Sequence, residues 1–322
     1  MTESPIPEPR RDAAADPAPD AAPETASRAH PMRASGEDLA AVERAPDTPQ
    51  TRSPTFRLAF ADDEFLLREE LRPVRLQLEL LKPQLVLDEE GVESTVVLFG
   101  GARIPEAAKA GAAATPTLAA LSRFYEEARR FALLATEASL QESRGRRGVI
   151  CTGGGPGVME AGNRGAREAG GRSVGLNIVL PHEQAPNLYV TPELSFNFHY
   201  FALRKMHFLM RAEAICVFLG GFGTLDEMFE SLTLIQTGRM RRVHFLLFGR
   251  EFWEGIVDWE GLAEAGVIAR ADLDLFRFVE TAEEALEAIR SWGTKRERRQ
   301  SIPGRDAPAP IPGVPDQPGD GS

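Results

Sequence analysis

Two glycine-rich turns, each set between an apolar strand and a helix, constrain this chain more than any other feature. One is Gly153-Gly154-Gly155-Pro156-Gly157, after the apolar run Gly148-Val149-Ile150-Cys151; the other is Gly220-Gly221-Phe222-Gly223-Thr224, after Ala214 to Leu219. Glycine lets the backbone approach an anion closely and point several N–H groups at it. The helix that follows adds the positive end of its dipole. Two such turns at equivalent ends of neighbouring strands point to a ligand that carries phosphate. Glu227, one turn into the second of these helices, points to chemistry done on that ligand.

The rest of the core supplies a sheet to carry the turns. Short apolar runs at 95–99, 148–151, 173–178, 214–219, 243–248 and 277–279 alternate with segments of helical periodicity at about 116–143, 156–169, 199–212, 224–237, 251–264 and 282–292. Thr281 and Glu284 have the spacing of a capping box for the last of them. Such alternation predicts an α/β fold, a doubly wound, Rossmann-like parallel sheet with helices on both faces. Ligands bind such sheets beyond the carboxyl ends of the strands, where the strand order reverses. That places the switch between the 95–99 and 214–219 strands. Three loops meet there: the two glycine turns and Gly100-Gly101-Ala102-Arg103.

A helix over 64–82 precedes the sheet, with Leu67, Leu71, Val74, Leu78 and Leu81 as its apolar stripe and a break expected near residue 72 because of Pro73. The 179–198 segment reads as a long loop on the ligand side. Asn177, Glu183 and Asn187 are candidate specificity residues there, and His199 is a candidate wall of a base pocket. Beyond the core the composition changes. Residues 1–50 and 303–322 hold 15 of the 24 prolines and too little apolar surface to offset ordering entropy. The expected organisation is therefore a disordered tail at 1–55, a domain with its N-terminal helical extension at 56–293, and a second disordered tail at 294–322.

Several functions are disfavoured. A net charge of −11, from 37 basic and 48 acidic residues, argues against a general nucleic-acid or membrane-surface binder. No apolar run approaches a membrane span, and no secretory signal is visible. The two cysteines, Cys151 and Cys216, fall in apolar strands, which suits small core residues of a cytoplasmic protein rather than a disulfide or a zinc site. His199 and His207 lack a metal-binding spacing, so neither a metal nor another cofactor is expected. There is no G-x-x-x-x-G-K-[ST], and neither the loop after 95–99 nor the first glycine turn fits G-x-G-x-x-G.

The pair Arg204-Lys205, followed after a strand by Gly220-Gly221-Phe222-Gly223-Thr224-Leu225-Asp226-Glu227, resembles the LONELY GUY (LOG) family of cytokinin riboside 5′-monophosphate phosphoribohydrolases, long mislabelled as lysine decarboxylases. Gly153 to Glu160 is similar to the family's other glycine signature, and the long N-terminal helix to its longer-chain bacterial branch. The resemblance covers about residues 60–293. It implies hydrolysis of the N-glycosidic bond of a nucleoside 5′-monophosphate, AMP or a cytokinin-type nucleotide, to free base and ribose 5-phosphate. It makes Arg204 and Glu227 the catalytic pair and Gly220, Gly221, Gly223 and Thr224 the phosphate turn. Gly153, Gly154, Gly155, Gly157, Glu160, Lys205, Gly101 and Arg103 complete the candidate binding set. Assembly into a homodimer or a larger even-numbered oligomer is also implied, with the 64–82 stripe as a contact surface. The alternative is a non-catalytic carrier of a nucleotide or of molybdenum cofactor.

Two positions depart from the family pattern. Leu219 stands where the phosphate turn has proline, which removes a fixed φ, and Gly101 where bacterial relatives more often have serine, which removes a hydroxyl. The expectation is a retuned site, since neither change touches Arg204 or Glu227.

Overall fold

The computed structural model of the protein describes residues 34–181 and 185–291. They fall into two units, divided between Leu71 and Arg72. The first holds helices α1 (Ser35–Val42) and α2 (Asp63–Leu66) with short 3-10 turns between them, and none of its described residues is buried. Asp62 caps α2 by accepting the N–H of Phe65 at 3.3 Å. The N-terminal tail expected over 1–55 therefore meets described structure from residue 34 onward. The remainder of that tail, the 294–322 tail and Glu183 lie outside the described residues.

The second unit begins with α3 (Arg72–Glu89) and continues β1 (Thr95–Phe99), α4 (Pro116–Ala120), α5 (Arg123–Ser143), β2 (Val149–Thr152), α6 (Val158–Glu168), β3 (Ser173–Ile178) and β4 (Ser195–Phe198). Then come α7 (Phe201–Met210), β5 (Ala212–Val217), α8 (Phe222–Gln236), β6 (His244–Phe248), α9 (Arg250–Ile256), α10 (Trp259–Glu264), β7 (Arg277–Val279) and α11 (Ala282–Ser291). The seven strands form one sheet in the order β4-β3-β2-β1-β5-β6-β7, and every pairing is parallel. The chain winds outward from β1 to β4, returns to the centre at β5 and winds outward the other way. The switch point lies between β1 and β5, as the alternation implied.

Strand periodicity divides the core. Val96 and Leu98 of β1 join α5, α6 and α11 in one buried cluster, while Val97 and Phe99 join α7, α8 and α9 in another. A strand buried on both faces reads as a continuous apolar run, which is why Thr95–Phe99 stands out in the sequence.

Three differences from the sequence reading matter. Ser195–Phe198, expected as loop, is an edge strand that turns Phe196 and Phe198 into the core. The helix expected over 116–143 is interrupted after α4, and that over 251–264 divides at Val257-Asp258, where Asp258 caps α10 by accepting the N–H of Gly261 at 2.8 Å. The N-terminal helix breaks before Arg72, as Pro73 required, but α3 then runs on to Glu89 through Pro83. Its core-facing stripe is Leu76, Leu80, Pro83 and Leu87, whereas Val74, Leu78, Leu81 and Leu85 are exposed. The expected stripe is therefore the outer one.

Pro83 has a structural consequence. Lacking an N–H, it leaves the Glu79 carbonyl one turn back without its helical donor. His207 Nε2 of α7 takes that place at 3.2 Å, and the Glu79 carboxylate accepts the N–H groups of His199 and Tyr200 at 2.8 and 3.1 Å. One residue of α3 thus fixes the start and the middle of α7, the helix that carries Arg204.

Candidate active site

Close packing of glycines brings the three expected loops together. Gly101 donates its N–H to the Leu219 carbonyl at 2.8 Å, and its own carbonyl accepts the N–H of Val158 at 3.3 Å. The loop after β1 is thereby tied to both glycine turns. A Cβ on Gly100 would lie 2.5 Å from Val158 Cγ1, and one on Gly157 would strike the Gly101 carbonyl. Gly157, at φ +69°, also takes the left-handed backbone that opens α6.

The two turns present different surfaces. In the second, the Thr224 side chain folds back over Gly220 and is buried, while Gly221 and Gly223 face open space at the start of the 15-residue α8. The first N–H groups of that helix have no intrahelical acceptor, so the dipole end and its donors meet solvent there. In the first turn Gly153, Gly154, Gly155 and Gly157 are buried and only Pro156 is exposed.

Arg204 lies between the turns. It is 8% exposed. Its Nε donates to the Leu176 carbonyl at 2.7 Å and its Nη1 to Glu227 Oε1 at 3.1 Å. Its guanidinium sits 4.9 Å from the centre of the Phe208 ring. A Cβ on Gly153 would lie 2.5 Å from Nη2, so this glycine makes room for the arginine. Burial pushes the Glu227 carboxyl up to about 7, against the opposing pull of Arg204. A carboxyl poised near neutrality can give and take a proton at physiological pH.

The other candidates separate. Lys205 is engaged by carboxylates of the protein itself: its Nζ lies 2.9 Å from Glu230 and 3.1 Å from Asp226. Burial pulls its pKa down, but these two carboxylates outweigh it and hold the ammonium above its ordinary value. A Schiff-base lysine needs the reverse. Glu160 accepts the phenol of Tyr125 at 2.9 Å, which occupies one of its oxygens within the protein. Arg103 is exposed on the loop after β1. Asn177 donates to the Phe196 carbonyl at 2.9 Å and so bridges to β4, with its amide against Gly154. His199 is exposed. Four contributors were not foreseen: the Leu176 carbonyl, Phe208, Asn163 and Glu79. Their link to the site exists only in three dimensions. Among the described residues no group of three His, Cys, Asp or Glu side chains is placed to hold a metal ion, and no helix is long and apolar enough to cross a membrane.

A buried carboxyl–guanidinium pair thus lies between two glycine turns at the switch point of a doubly wound parallel sheet. The family model described as "Possible lysine decarboxylase" matches residues 159–289, a span that includes Arg204, the second glycine turn and Glu227. This model, which spans less than half of the chain, is the one that defines the LONELY GUY family of phosphoribohydrolases under its historical label. The match supports hydrolysis of the N-glycosidic bond of a nucleoside monophosphate as the activity. No curated protein matches the chain. Among solved structures, the molybdenum cofactor binding protein of Rippkaea orientalis is similar at 20% identity and a TM-score of 0.41, covering 62% of this chain and 96% of that one. The Moco carrier protein of Chlamydomonas reinhardtii is similar at 15% identity and a TM-score of 0.41, again covering 62% and 96%.

Proposed function

We propose that Glu227 is the catalytic carboxyl of this hydrolysis and that Arg204 holds it in place. The observation that carries the reading is the 3.1 Å contact between Arg204 Nη1 and Glu227 Oε1, buried between the two glycine turns. The substrate's 5′-phosphate rests on the N–H groups at the start of α8, around Gly221 and Gly223, with Arg103 within the same loop cluster. The ribose then lies over Glu227. Departure of the base leaves positive charge on the sugar, which a nearby carboxylate stabilises. Water adds to the anomeric carbon as the C1′–N bond breaks, and the electron pair of that bond leaves with the base. Glu227 takes the proton that water loses and passes it to the departing base, so atoms and charge balance as nucleotide plus water giving base plus ribose 5-phosphate.

AMP and an N6-substituted, cytokinin-type AMP are the substrates this reading puts first, in the cytoplasm. The exposed stripe Val74, Leu78, Leu81 and Leu85 on α3 supports a homo-oligomer. A helix with apolar residues on two faces leaves one of them in water unless another chain covers it. The test is incubation with a panel of nucleoside 5′-monophosphates, scored for free base and ribose 5-phosphate. Release from at least one supports the reading. Tight binding with no release from any member would assign the chain to the carriers instead.

A further inference from the structure

One side chain fastens the 185–190 segment to the first glycine turn. Asn187 Nδ2 donates to the carbonyls of Gly154 and Gly155, both at 3.0 Å, and to Asn163 Oδ1 at 2.9 Å. Its backbone N–H donates to the same Gly154 carbonyl at 2.7 Å, and its Oδ1 accepts the N–H of Tyr189 at 3.1 Å. Behind it, Thr152 Oγ1 donates to Asn163 Oδ1 at 2.7 Å and accepts the N–H of Gly154 at 3.0 Å. Asn163 is fully buried and its Nδ2 has no partner, so its amide is turned to serve Thr152 and Asn187 at some cost. Two amide hydrogens on Asn187 thus face three acceptor oxygens, and both polar atoms of its side chain are committed to protein.

The consequence follows from the planarity of the peptide bond. In a trans peptide the C=O and N–H point in opposite directions. Holding the Gly154 carbonyl toward Asn187 therefore aims the Gly155 N–H away from it. Pro156 brings no N–H, so that one donor matters more. Gly154 sits at φ +73° and can occupy this conformation without a Cβ against Asn177.

We infer that Asn187 is a positioning residue for the phosphorylated ligand, fixing the first glycine turn with the Gly155 N–H turned away from Asn187. The inference rests on the reading that this turn cradles the ligand, and it gives Asn187 a role through the turn rather than through contact with the base. The test compares N187D with N187A. N187D keeps the shape, removes both amide hydrogens and sets a carboxylate against three oxygens; N187A only truncates. The readouts are the Kd for ribose 5-phosphate by calorimetry, KM and kcat for AMP, and the ligand-free melting temperature. N187D is expected to raise Kd and KM by about tenfold or more, and N187A by less, with kcat within about threefold of wild type. Should N187D not fold, N187A alone is expected to raise Kd severalfold. Unchanged Kd in these variants, N187D no worse than N187A, a loss confined to kcat or to melting temperature, or a wild type that does not bind ribose 5-phosphate would each overturn the inference. A wild type that binds ribose 5-phosphate but never releases a base would sink the hydrolase reading alone, leaving this one to be decided by Kd.

Discussion

The N–H of Gly101 donates to the carbonyl of Leu219 at 2.8 Å, so the two positions that depart from the family pattern are bonded to each other. A Cβ on Gly101 would lie 3.1 Å from that carbonyl oxygen and 3.3 Å from Gly220 Cα, both backbone atoms. Leu219 is fully buried, with Phe124 and Phe248 in the same core cluster. The glycine gives the close approach, and the leucine anchors the far side of it.

Restoring the serine alone should therefore harm this chain. G101S is expected to push the Leu219–Gly220 peptide aside and lower kcat/KM severalfold, with a stability loss of about 1 to 3 kcal/mol from overpacking. Thermal melts and AMP kinetics read both quantities. A gain in activity at unchanged stability would show that the missing hydroxyl, not the packing, governs the site.

Replacing Arg204 should separate positioning from charge. R204K keeps the charge but cannot bond Leu176 and Glu227 together through a planar fork, and is expected to lower kcat by about 10²-fold. R204A leaves a buried carboxyl without its partner and is expected to cost about 3 to 5 kcal/mol of stability at pH 8. The cost should shrink at pH 5, where the carboxyl can protonate. Urea melts at the two pH values check this.

Burial holds Glu227 near 7, above the ordinary carboxylate range, with Arg204 pulling the other way. If the ionised form acts, kcat/KM rises about tenfold per pH unit below 7 and levels above it. AMP's second phosphate ionisation, near pH 6, falls on the acidic limb and does not mimic a break at 7. A profile flat between pH 5.5 and 8.5 would remove Glu227 from the proton-handling role.

The exposed stripe on α3 should govern assembly. L78K combined with L81K is expected to convert the oligomer to a monomer in sedimentation while leaving the melting temperature nearly unchanged, because neither side chain packs in the core. A wild type that sediments as a monomer would contradict the assignment.

Much of the fold is legible because central parallel strands are buried on both faces. Residues 95–99 and 214–219 read as apolar runs, and the glycines mark where the crossovers after 148–151 and 214–219 begin. Ser195–Phe198 escaped because an edge strand of four residues shows only Phe196 and Phe198 at period two, inside a polar segment. The expected helix stops at residue 82, before Pro83, whose accommodation inside α3 depends on the distant His207. In the same way Arg204 and Glu227 are visible as motif residues, but the 2.7 Å bond to the Leu176 carbonyl that orients the arginine belongs to the sheet. The capping box is half as read: Thr281 accepts the N–H of Glu284 at 3.2 Å, while the Glu284 carboxylate takes the N–H of Glu280 instead of Thr281.

The most direct test of the account is E227Q, measured for AMP turnover and for ribose 5-phosphate binding in the same preparation. The substitution keeps size and one acceptor oxygen for Arg204 and removes the titratable charge. The account predicts a fall in kcat of about 10³-fold with Kd for ribose 5-phosphate within a few-fold of wild type. Turnover at the wild-type rate would contradict it.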